Sequence, residues 1–175
     1  MTSEVEICKL ALSMIRAGSI NSFTDGSLQA QQCSLWYPQT RDFMQRDAPW
    51  GFTRKIDALA VLEDEDVFNW VYVYAYPNDC LYIERLILNY EEFGSVDGAI
   101  RTRQLEDIYA PDLGAQVKYD TLNVGDPNGR VIVANDVDLR IEYRSRVTDP
   151  NKFDPMFIEA FASLLASKLA IRYGS

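Results

Sequence analysis

Apolar positions recur at helical spacing at both ends of the chain and alternate in its middle. Near the start, Val5, Cys8, Leu12 and Ile15 share one helical face, with Ala11 and Met14 beside them. Ser3 and Glu6 stand ahead of that face at capping-box spacing, so the pattern predicts a helix from Ser3 to Ala17 that Gly18 stops. "GSINSFTDGS" then reads as a loop, anchored to the core by Ile20 and Phe23. A second helix is predicted from Ser27 to Asp47. Leu28, Gln31, Leu35 and Asp42 fall about one turn apart there, and Ala30, Cys33, Tyr37 and Met44 form its apolar side. Pro38 removes a hydrogen bond in mid-stretch, which predicts a kink or two helices in sequence; Pro49 ends the stretch.

Beyond Phe52 the period is lost. "FTRKIDALAVL" fits either a helix or a strand, and "EDED" (Glu63 to Asp66) reads as an acidic loop. "WVYVYAYP" alternates strictly, which sets Trp70, Tyr72, Tyr74 and Tyr76 on one side of a strand and Val71, Val73 and Ala75 on the other. Pro77-Asn78-Asp79 is a turn, and "CLYIERLIL" has strand character. Residues 89–116 carry no clear period. "KYDTL", "RVIVAND" and "DLRIEYRSRV" are strands, with "GDPNGR" as the hairpin turn between the first two and "DVD" as a turn before the third. At the end, Asp154 as N-cap and Pro155 at the first helical position open a helix. Phe157, Phe161, Leu164, Lys168 and Ile171 outline one face of it, and Ile158, Leu165 and Leu169 widen that face, so the helix is expected to be buried on more than one side. The order of helices, strands, helix predicts an α+β fold: a bundle of the two N-terminal helices and the C-terminal helix, with an inserted antiparallel β lobe. The expected boundaries are 1–50 and 150–175 for the helical lobe and 51–149 for the mainly β lobe, together forming a single domain.

Composition narrows the chemistry. The 175 residues include no histidine, which removes the commonest general base, the Ser-His and Cys-His pairs and histidine metal sites. A net charge of -9 argues against a protein that grips nucleic-acid phosphates over its whole surface. Cys8, Cys33 and Cys80 are widely spaced, which reads as free, half-buried thiols in a reducing compartment rather than a zinc site. No apolar run approaches the ~18 residues of a membrane span, and the N-terminus lacks the pattern of a secretory signal.

Three candidate chemistries remain, each with a plainer alternative. Paired carboxylates among Glu63 to Asp66, Glu91, Glu92, Glu106 and Asp107 could cleave a glycosidic bond, but no spacing singles out a pair and solvated acidic loops account for them. Asp120, Asp126, Asn128, Asp136 and Asp138 could offer oxygen ligands to calcium, but the spacing of a calcium loop is missing and turn chemistry accounts for them. The Trp70 to Tyr76 stripe could stack sugars or bases, or pack inside the fold or between chains. No catalytic, cofactor-binding or metal-binding residue is singled out.

"CSLWYPQTRDFMQRDAPWGFTRKIDAL" resembles the tail tubular protein A family of head-to-tail adaptors of tailed phages. In that family a second helix with Cys, Tyr and an Arg-Asp pair leads into a Pro-Trp-x-Phe-x-x-Lys corner; here these positions are Cys33, Tyr37, Arg41, Asp42, Pro49, Trp50, Phe52 and Lys55. "WVYVYAYPNDCL" is similar to the family's aromatic strand, with Trp70, Pro77, Asp79, Cys80 and Leu81. "VTDPNKFDPMFIEAFASLLASKLA" resembles its closing turn and helix, with Asp149, Phe153, Asp154, Phe157, Glu159 and Ala160. Pro38 departs from the family's unbroken helix. The sequence also stops soon after the last helix, so a tail reaching into the portal is expected to be short or absent.

The resemblance implies a structural virion protein of the neck, assembled in the host bacterial cytoplasm, with no enzymatic activity and no cofactor. Its partners would be the portal protein, a tail nozzle or tail tube protein, and further copies of itself in a closed ring of about twelve. DNA would pass through the ring during ejection without sequence-specific binding. The motif positions become candidates for structural or interface roles. The alternatives are a tail-associated peptidoglycan hydrolase using carboxylates, and a binding or assembly module outside the virion.

Overall fold

The structure, a computed structural model, describes residues 2–63, 66–88, 117–125 and 127–173. Its class is α+β: the described residues form three α-helices and two three-stranded antiparallel sheets. The chain divides into two compact units, one made of Met1–Arg54 with Arg144–Ser175 and the other of Lys55–Tyr143.

The first unit is helical. Helix α1 spans Glu4–Met14 and begins with the predicted capping box: the Ser3 hydroxyl accepts the Glu6 N–H at 3.1 Å, and the Glu6 carboxylate accepts the Ser3 N–H at 2.8 Å. It ends a turn earlier than Gly18 would set. Arg16 takes a left-handed backbone (φ 54°), the Arg16 N–H bonds the Ser13 carbonyl, and the Ala17 N–H reaches back to the Leu12 carbonyl. These paired bonds close the last turn as a glycine cap would, on a residue whose side chain disfavours that backbone. Ile7, Cys8, Ala11 and Leu12 are buried, whereas Met14 is exposed.

Helix α2 spans Leu28–Asp47 in one piece, with Ser27 as N-cap and Pro38 inside it. Of the two outcomes expected at Pro38, two helices in sequence does not occur: the helix runs through it. Pro38 lies on the exposed side, and the Ser34 carbonyl, which has no Pro38 N–H to bond, is on that side as well. Pro38→Ala is expected to stabilise the protein by about 2 kcal/mol, the restored helical bond being partly offset by a freer unfolded chain; urea unfolding midpoints would measure the gain. The buried face runs Ala30, Cys33, Tyr37, Thr40, Arg41 and Gln45, whereas Leu28 and Leu35 point outward. Upstream of the cap, Asp25 accepts from the Ser27 hydroxyl, the Ser27 N–H and the Asn21 N–H, and these bonds, led by the hydroxyl's, hold its carboxyl below the usual range. The resulting stability is fully present above the ordinary aspartate range and is lost as pH falls through the lowered value. Asp25→Asn is therefore expected to flatten the acid limb of a plot of Tm against pH.

The last helix, α3, spans Pro155–Tyr173. The Asp154 carboxylate accepts the Met156 N–H at 2.8 Å, as an N-cap does. Phe157, Phe161, Leu165 and Leu169 form one buried ridge and Ala162 and Ala166 the next, and the helix packs on both α1 and α2. Leu164 and Lys168, assigned by spacing to the Phe157 face, lie beside that ridge half-buried, and Ile171 is 85% exposed. Ile20 and Phe23 serve as the predicted loop anchors, Ile20 buried and the Phe23 ring centroid 6.0 Å from that of Tyr37.

The second unit is a pair of sheets. One orders β1 (Arg54–Ala58), β6 (Leu139–Ser145) and β3 (Cys80–Leu88); the other orders β2 (Tyr72–Ala75), β5 (Arg130–Ala134) and β4 (Tyr119–Asn123). The stretch after Phe52, open to helix or strand in sequence, is thus a short 3₁₀ turn, Gly51–Thr53, followed by a strand. Strand β5 is central and buried on both faces. Its Ile132 and Ala134 join Ile83, Leu86, Leu139 and Ile141 of the other sheet in one core, while Val131 and Val133 join Val73 in a smaller one. The β4–β5 hairpin sets Asn123 opposite Arg130, and Gly125 and Gly129 supply the positive φ angles (88° and 59°) that its turn requires. Across β3 and β6, the Arg85 guanidinium donates to the buried Glu142 carboxylate at 2.6 Å.

Candidate functional site

Most of the residues that sequence reading singles out gather at two places, one in each unit. In the helical unit they build a corner at the C-terminal end of α2. Pro49 and the extended backbone of Ala48 stop the helix, and the Trp50 indole N–H turns back to cap the Met44 carbonyl at 3.0 Å. The Trp50 and Phe52 rings then meet Phe157 edge-on, with centroids 5.1 Å and 5.0 Å away, and Phe153 adds a third ring 5.0 Å from Phe157. Tyr37 continues the aromatic row, 4.9 Å from Phe161. Its phenol is pushed up by burial in this core.

The polar side of the corner is clasped by the chain that returns after β6. Gln45, wholly buried, uses both ends of its amide on Val147: its oxygen accepts the Val147 N–H at 2.9 Å, and its nitrogen donates to the Val147 carbonyl at 2.8 Å. The Ser145 hydroxyl donates to the Thr53 carbonyl at 2.9 Å, and the Thr53 hydroxyl donates to the Trp50 carbonyl at 2.8 Å. Asp42 is held from two directions. One carboxylate oxygen takes the Arg41 guanidinium at 2.8 Å, and the other takes that of Arg146 at 2.8 Å. Arg41, Asp42, Pro49, Trp50, Phe52, Asp154 and Phe157 are therefore brought together as a framework.

In the β unit, Lys55 and Asp79 meet. The Lys55 ammonium lies 3.2 Å from one Asp79 carboxylate oxygen, the Tyr143 hydroxyl donates to the other at 2.9 Å, and Asp57 stands 3.4 Å from the same ammonium. Hydrogen bonds to Tyr143 and then to Asp79 raise the Lys55 ammonium above its usual range, and burial raises the Tyr143 phenol. Both groups are thus fixed in their resting protonation states near neutral pH, the reverse of the tuning that proton transfer needs. Pro77 accepts the Cys80 N–H at 3.0 Å in the turn that presents Asp79, and burial raises the half-buried Cys80 thiol.

Two expectations require correction. Trp70 does not share a face with the tyrosines. Strand β2 begins only at Tyr72, and Trp70 precedes it in a turn that packs the indole with Val73, Leu62 and Val67, whereas Tyr72, Tyr74 and Tyr76 pack with the core between the sheets. Strict alternation in sequence holds a face only while the backbone stays extended. The Cys8 and Cys33 thiols are fully rather than half buried, and contact with Cys33 together with burial pushes the Cys8 thiol up.

Among the described residues, no group of three or more His, Cys, Asp or Glu side chains converges as metal ligands, and no helix is long and apolar enough to cross a membrane. Asp126, Asp64, Glu65, Glu91, Glu92, Glu106 and Asp107 lie outside the described residues. Sequence reading missed Gln45, Tyr143, Ser145 and Arg146. Gln45 was legible as the residue one turn past Arg41 and two past Tyr37 on the buried side. Arg146, whose partner stands 104 positions away, carries no local signal. No protein-family model and no curated protein matches the chain.

Proposed function

We propose that the chain is a structural protein of the phage neck, a ring-forming head-to-tail adaptor that joins the portal to the tail and surrounds the exit path of DNA. The observation that carries this reading is the fate of the family-like motif. Its residues serve as helix cap, aromatic wedge and ion pairs, which is the use an assembly protein makes of them. The net charge of -9 supports it as well. Many acidic copies around a channel repel phosphates, so DNA moves past without sticking. Its partners in this role are further copies of the chain in a ring of about twelve, the portal and a tail tube or nozzle protein.

The test is reconstitution with the portal of the same phage, followed by native mass measurement and imaging of particles. A ring of the chain seated on the portal, and the chain's presence in virion necks, are the expected results. A chain that stays single with the portal and is absent from virions overturns the reading. Trp50→Ala separates framework from contact. Half-buried and capping α2, Trp50 is expected to cost about 2–3 kcal/mol when truncated. Unchanged melting with lost portal attachment would instead mark its ring as a contact surface.

A further inference from the structure

We infer that the outer face shared by α2 and α3 is the surface with which one copy of the chain takes up the acidic surface of a second copy. This rests on the ring reading above and adds to it the face and the chemistry of the contact. On α2, Leu35 and Phe43 lie on the solvent side, 51% and 55% exposed, with Trp36 half-buried between them in the helical row. On α3, Lys168, Ile171 and Arg172 follow at spacings of three and four, one patch of helix surface. The two ridges adjoin: the Lys168 ammonium lies 5.3 Å from the Trp36 ring centroid and 5.6 Å from that of Phe43. Lys168 and Arg172 have no carboxylate partner among the described residues.

An apolar face set with unpaired cations suits a partner that is acidic and partly apolar. The chain itself is that partner by charge. Residues 1–54 and 144–175 hold ten Lys and Arg against eight Asp and Glu, a net of +2, whereas residues 55–143 hold seven against eighteen, a net of -11. The negative charge of each copy therefore lies within residues 55–143, where the described residues alone hold nine Asp and Glu against five Lys and Arg, a net of -4. A contact between two different surfaces of identical chains is of the kind that closes into a ring. The cations of this face would further relieve the mutual repulsion of the acidic units gathered around one axis.

The experiment is sedimentation of the full chain over a concentration series, alone and with portal, at low and high salt. The variants are Lys168→Glu, Phe43→Ser and Lys168→Arg, each checked for an unchanged melting temperature. Wild type is expected to associate, more weakly as salt rises. Lys168→Glu and Phe43→Ser are each expected to lower the association constant about tenfold, whereas Lys168→Arg keeps it. Oligomers or portal-bound rings that form equally well with Lys168→Glu and Phe43→Ser overturn this inference and leave the ring reading standing. Wild type that forms no assembly, alone or with portal, overturns both.

Discussion

Phe157→Ala is expected to lower the free energy of unfolding by about 3–5 kcal/mol, with the loss visible as a reduced midpoint in chemical denaturation. Phe157 is fully buried, and its ring is the meeting point of Trp50, Phe52, Phe153 and Phe161. Removing it strips one partner from each of four rings at once, and those rings come from two distant stretches of chain and remain held by other contacts, so they cannot all move in to fill the space. Phe157→Leu keeps most of the volume and loses only the edge-on contacts, so it should cost less than half as much. Equal losses for the two variants would show that ring geometry matters more here than volume.

Gln45→Ala is the second large effect, at about 3 kcal/mol. The Gln45 amide serves one backbone donor and one backbone acceptor of Val147, and a truncated side chain leaves both short of a partner. Gln45→Glu is the sharper variant. Its carboxylate can still accept the Val147 N–H but sets a second oxygen against the Val147 carbonyl. Protonation turns that oxygen into a donor, so the carboxyl of this variant is expected to titrate above its usual range. Its deficit against wild type should therefore shrink as pH falls through that raised value. A deficit that does not change with pH would place the cost elsewhere than in the lost donor.

The helices were legible because their signals are local. The Ser3–Glu6 box, the Asp154 cap and the spacing of Ala30, Cys33 and Tyr37 each depend on neighbours within two turns. The corner was legible in part. Pro49 marks a stop and Trp50 an apolar ring, and the structure joins them through the Met44 carbonyl. Arg41 and Asp42 were singled out as a pair, but Arg146, which completes it, comes from far along the chain. Local pattern failed where a short range of sequence meets a long-range demand. Pro38 stays inside a helix because its side of α2 is exposed and the packed side continues past it. Arg16 replaces Gly18 as the stop because three backbone bonds at Ile15, Arg16 and Ala17 outweigh the strain of one left-handed residue. Trp70 leaves the tyrosine face because the strand is only four residues long.

The split of the helical unit into two distant pieces has a consequence during synthesis. Helices α1 and α2 leave the ribosome first, and α3, which supplies Phe157, Phe161 and Leu165 to their shared core, follows only after residues 55–143 have been made. At elongation rates of about 5–20 residues per second, that leaves the two early helices with their apolar faces uncovered for several seconds. The inserted unit meanwhile has the means to close by itself, since its first residue, Lys55, and its last, Tyr143, both engage Asp79. Translation order thus makes the nascent chain most open to chaperones, or to premature pairing with another copy, in the interval before its final helix arrives.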